Sequence, residues 1–123
     1  MKLGLGLYRH QLNDEHFQFA AQAGCEALVI HLVDYFRQGG TNTARDQPTG
    51  DLAGWGRAGD PTQLWDEADL RDLVRRAGRH GLKIAAIENF DPAHWSDVLL
   101  DGPRKAEHLE NVRTLIRRVG AAG

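Results

Sequence analysis

Three apolar runs in this chain each end in groups that can hydrogen-bond or ionise. "KLGLGLY" leads into Arg9 and His10; "EALVIHLV" carries His31 and leads into Asp34. "LKIAAIENF" ends with Glu88, Asn89 and Phe90, and Asp91, His94, Trp95 and Asp97 follow. The residue types define the chemistry open to them. An arginine holds a carboxylate through two parallel N–H donors. A carboxylate accepts from hydroxyl groups and an amide both donates and accepts, so Glu88 with Asn89 suits a sugar-like ligand. Arg9, His10, His31, Glu88 and Asn89 are therefore the candidate substrate-binding residues. The competing reading is structural, with Glu88 and His31 pairing with each other or with Arg9.

Other chemistries find less in the chain. His31-x-x-Asp34 contains two possible metal-ligand types, but that spacing alone is unspecific, and no metal ligand and no catalytic residue is assigned here. Cys25 opens the second run, at the end opposite the polar cluster, and reads as a small buried residue, not a nucleophile. Trp55 and Trp95 lie in polar segments, where they either stack on a sugar or pin their loops; Trp95 reads as a pin. "GLGLYR" precedes no helix at the right spacing and "GWGRAG" follows no strand, so neither is a dinucleotide fingerprint. Phosphate-loop, nucleophile-elbow and basic–aromatic nucleic-acid patterns are absent from the sequence.

The elements that must position the polar groups follow from periodicity and punctuation. Residues 2–8 alternate like a strand. Asn13 reads as a helix cap with Asp14 and Glu15 at the positive helix end; Phe17, Ala20, Ala21 and Ala23 form the buried face and Gly24 the stop. Residues 26–33 read as a buried strand. A helix over 66–80 turns Leu70, Leu73, Val74 and Ala77 inward and stops at Gly81. A third strand spans 82–90. A last helix follows Pro103, with Leu109, Val112, Leu115, Ile116 and Val119 as its apolar face and Gly120 as its end.

Alternating βα units imply a parallel sheet. The helix-to-strand turns are short. The strand-to-helix segments are long and polar, above all 33–65, where a structureless stretch of that length reads as a binding loop, a lid or disorder. In parallel barrels, active sites lie on that C-terminal side of the strands. The expected fold is α/β: the first three βα units of a (β/α)8 TIM barrel, with residues 1–123 the N-terminal portion of a single domain. A small open sheet, complete in itself, is the alternative.

Composition fits this class. The chain has 123 residues, 41% of them hydrophobic and 26% charged, and a net charge of −2, which gives no strong field to attract nucleic acid or an anionic membrane. One cysteine permits no internal disulfide, and no run reads as a signal peptide or a membrane span. A soluble, cytoplasmic protein is expected, with neither nucleic acid nor membrane as partner. Two-sided apolar strands with open edges predict a homo-oligomer.

"KLGLGLYRHQLNDEHFQFAAQAG", "VIHLVDYF" and "IENFDPAHWSDVLLDGPRKAEHLENVRTLIRRVGAAG" together resemble the N-terminal part of the mannonate dehydratase family, among the xylose isomerase-like barrels. The resemblance takes in most of the chain outside 37–63, although the segment after Glu88 differs from the family's usual loop. It implies a lyase of carbohydrate metabolism that dehydrates a small sugar acid, D-mannonate to 2-keto-3-deoxygluconate, in glucuronate breakdown. It also implies Fe2+ or Mn2+, with ligands expected beyond residue 123. A related sugar isomerase or epimerase would share the strand-end Glu and His, and a non-catalytic half-barrel module is a further alternative.

Overall fold

The computed structural model describes residues 1–33, 64–90 and 94–123. Asp34, Trp55, Asp91 and all but the ends of the 33–65 segment lie outside the described residues. Three strands, β1 (Gly4–Leu7), β2 (Ala27–His31) and β3 (Lys83–Glu88), form one parallel sheet in the order β1-β2-β3. Leu5 and Leu7 pair with Leu28 and Ile30, which pair in turn with Ile84 and Ile87. These side chains face one core with α1 (Asp14–Gln22), α2 (Glu67–Arg79) and α4 (Lys105–Ala122), through Phe17 and Ala20, Leu70, Leu73 and Ala77, and Leu115. The fold is thus α/β with helices packed on a parallel sheet. The opposite sheet face is built of small residues: Gly4, Gly6 and Ala86 are exposed there.

Local chemistry sets the element ends. Asn13 Oδ1 accepts from the His16 N–H at 3.1 Å, the cap expected there, and Asp66 Oδ1 accepts from the Ala68 N–H at 2.7 Å, so Asp66 caps α2 instead of opening it. Gly24 (φ +83°) and Gly81 (φ +75°) close α1 and α2 in the left-handed region, which favours glycine. Sequence and structure differ at four further points. The strands are shorter than 2–8, 26–33 and 82–90. Ala23 caps α1 and is exposed instead of lining its buried face. The polar segment after β3 contains a short helix, α3 (Ser96–Leu99). Finally, α4 runs through Gly120 to Ala122, and its Leu109 and Ile116 are exposed rather than packed.

A knot of polar contacts joins α3 to α4. The fully buried His108 accepts the Asp97 N–H through Nδ1 at 3.1 Å, while Asp97 Oδ2 accepts from the Arg104 N–H at 2.8 Å. A Cβ at Gly102 would fall 2.6 Å from the Asp97 carboxyl carbon, so any side chain there would displace the carboxyl group that accepts from Arg104. Periodicity did not mark His108 as an inward residue, because its partner is a backbone N–H on a helix that the sequence did not reveal.

Candidate functional site

Parallel pairing with aligned ends brings the three apolar runs together as their order required. His31 and Glu88 are register partners at the C-terminal ends of β2 and β3. Side chains alternate across a strand, so both lie opposite Ile30 and Ile87, away from the helix-covered core. His31 Nε2 stands 3.2 Å from Glu88 Oε2. The imidazole is buried, whereas the Glu88 side chain is 53% exposed. Tyr8, just past β1, lays its ring against His31 at a centroid distance of 4.4 Å and a tilt of 35°. One row, Tyr8–His31–Glu88, thus crosses all three strand ends. Its buried member is held from both sides, and its outer carboxylate faces solvent.

The division of labour follows from burial. His31 is positioned to orient; Glu88 is the group that can meet a ligand. Asn89 turns the chain directly after it with φ +65°, a conformation that asparagine tolerates better than most residues. Phe90 then stacks on Trp65 at 5.4 Å, and its carbonyl accepts the Trp95 indole N–H at 3.0 Å. Trp95 is therefore tied to the backbone beside the site, as a loop pin is.

Arg9 and His10 belong to a 3-10 turn, Arg9–Gln11, directly after Tyr8. Arg9 donates from Nη1 to the Leu32 carbonyl at 3.1 Å. Its side chain lines a cavity of about 260 Å³ with Trp65, Asp69 and Arg76, whose walls include neither His31 nor Glu88. His10 is exposed, its ring parallel to that of Tyr8 at 6.5 Å. Desolvation, and secondarily the neighbouring His16 ring, lower its pKa below the ordinary 6.5. A lowered folded-state pKa means that protonation favours the unfolded chain. The His10 contribution is thus present above the unfolded pKa and lost as pH falls through the folded one. The thermal midpoint, recorded from about pH 8 to about pH 5, should fall on the acid side, and His10→Gln should shrink that fall. Superimposable profiles would remove His10 from the account.

No three His, Cys, Asp or Glu side chains among the described residues are arranged to hold a metal ion. Cys25 is half-buried, two residues before β2 and so at the end of the sheet opposite Glu88. Among the described residues, no helix is long and apolar enough to cross a membrane.

Comparison with known proteins gives one relevant likeness. The chain is 38% identical over 61 residues to a mannonate dehydratase of Streptococcus pneumoniae (strain 70585), a match that takes in 50% of this chain and 16% of that protein. The chain therefore corresponds to a minor part of the relative's length. No family model matches the chain, and no solved structure matches it significantly.

Proposed function

We propose that the chain forms the first three βα units of a (β/α)8 barrel, in a cytoplasmic sugar-acid lyase that converts D-mannonate to 2-keto-3-deoxygluconate and water. The observation that carries this reading is the 38% identity to a mannonate dehydratase. Two structural features support it. Strands in consecutive parallel order with helices on one face are what the start of such a barrel requires. Along β3, an apolar groove of about 170 Å³ between Ile84, Ile87, Val119 and Ala122 suits the side chains of a fourth parallel strand. In this reading Glu88 accepts hydrogen bonds from substrate hydroxyls, His31 holds its carboxylate, and Asn89 is a second polar contact. Arg9 keeps further N–H donors beside the one on the Leu32 carbonyl.

The resemblance brings Fe2+ or Mn2+ with it, but the described residues do not fit such an ion, and any ligands are to be sought outside them. Two proteins test the reading: the 123-residue chain, and the chain continued through the reading frame beyond Gly123. D-mannonate should be turned over by the longer protein supplied with either metal, and not by the 123-residue chain. Turnover by the short chain alone would overturn the proposal. A longer protein that interconverts sugars without releasing water would identify an isomerase or epimerase instead.

A further inference from the structure

The short helix α3 has no capping side chain at its own N-terminal flank, Trp95. Its Asp97 N–H donates instead to Nδ1 of His108 on α4, at 3.1 Å. His108 is fully buried, and its Nε2 meets no hydrogen-bond partner among the described residues. An imidazole nitrogen that accepts carries no hydrogen, so the neutral ring bears its one proton on Nε2. A second proton has only Nδ1 to go to. There it would face the Asp97 N–H, donor against donor, and it would put a full charge where water does not reach. The contact therefore exists only with the uncharged ring.

The acidic groups of the elements around the ring are engaged elsewhere. The Asp97 carboxylate accepts the Arg104 N–H at 2.8 Å and has the Arg104 guanidinium 3.8 Å away. Across the α3–α4 turn, Asp101 pairs with Lys105. On α4 itself Glu107 is exposed, and Glu110 pairs with Arg113 and Arg117. On α2, the other helix packed on α4, Glu67 pairs with Arg71 and Asp72 with Arg75 and Arg76, while Arg79 turns to Asp14 of α1. Asp66 caps its own helix and Asp69 lines the Arg9 cavity. His94, also buried, lies two residues ahead of α3. What the joint holds is close to the candidate site: Trp95, directly before α3, donates to the carbonyl of Phe90, two residues past Glu88. We infer that His108 is a proton-operated latch, which holds α3 on α4 when uncharged and releases α3 with the Trp95 tie when protonated. Because the closed joint excludes the second proton, protons favour the open form, and the latch opens as pH falls. The inference is independent of the reaction proposed above.

Amide hydrogen exchange of the 123-residue chain, read by NMR at Asp97 from about pH 8 to about pH 5, tests the latch across the range in which histidine titrates. After correction for the intrinsic exchange rate at each pH, protection at Asp97 should fall at least about tenfold toward the acid end, while the β2 amides keep theirs. His108→Asn puts a carbonyl oxygen near the place of Nδ1 and cannot take up a proton, so its Asp97 protection should not vary with pH. His108→Leu should leave Asp97 unprotected throughout. Ring nitrogen shifts of the parent give a readout that needs no variant: at pH 8 the proton should sit on Nε2. The inference is overturned by a proton on Nδ1 at that pH, or by Asp97 protection in the parent that does not change. It is equally overturned if His108→Asn keeps the parental pH dependence, which would assign the effect to His94 or a carboxylate, or if β2 loses protection in step with Asp97.

Discussion

If the chain is part of the longer sugar-acid lyase proposed above, Glu88→Gln in that protein should lower turnover by at least about tenfold, on the order of 1.4 kcal/mol in transition-state stabilisation. The substitution keeps the size of the side chain and one carbonyl acceptor for His31, so the row across the strand ends persists. What it removes is the negative charge on an oxygen that stands 3.2 Å from the buried imidazole and otherwise faces solvent. Because that carboxylate is half exposed, stability should change by no more than about 0.5 kcal/mol. Trp95→Ala should do the opposite. It deletes the 3.0 Å bond to the Phe90 carbonyl and a half-buried ring, at a cost of about 1–2 kcal/mol, and slows turnover less than Glu88→Gln does. Activity normalised to the folded fraction, with thermal midpoints alongside, separates the two. If Glu88→Gln unfolds the protein while its folded fraction keeps full activity, Glu88 is a structural partner of His31 and not a ligand contact.

Phe17→Ala should be the most damaging single change in the chain's own stability. The ring is fully buried, with the His80 ring 6.0 Å away and the Arg76 guanidinium 5.9 Å above it. Truncation leaves a cavity between α1 and α2 and strips both neighbours of their apolar partner. Losses of about 3–5 kcal/mol are typical for such sites, against total stabilities of about 5–15 kcal/mol. Phe19→Ala, two positions along the same helix, is the internal control: that ring is 60% exposed and its removal should cost about 0.5 kcal/mol or less. Urea unfolding of both variants decides the point. Equal losses would mean that α1 does not dock on the face described.

The 123-residue sequence by itself determined the features that depend on near neighbours. The helix cap at Asn13 and the stops at Gly24 and Gly81 are decided by groups within a few residues of the backbone they close, so composition and spacing were enough. The parallel order of the strands followed as well, because short glycine turns after each helix leave the chain little choice. Whatever depends on distant segments had to wait for tertiary structure. The sequence offered His31 a partner in Arg9 or in Glu88; parallel register put Glu88 beside it, while a 3-10 turn carried Arg9 to the Leu32 carbonyl. On α4, the apolar residues at 109, 112, 115, 116 and 119 share one arc of about 120°, so periodicity marks a face but not which edge of it becomes covered. Packing against α2 and α3 buried Leu115 and His108 and left Leu109 and Ile116 outside. The physical reason is the same in each case. Capping and turning are short-range hydrogen-bond problems with one local solution, whereas burial and pairing are settled by which surface another part of the chain happens to cover.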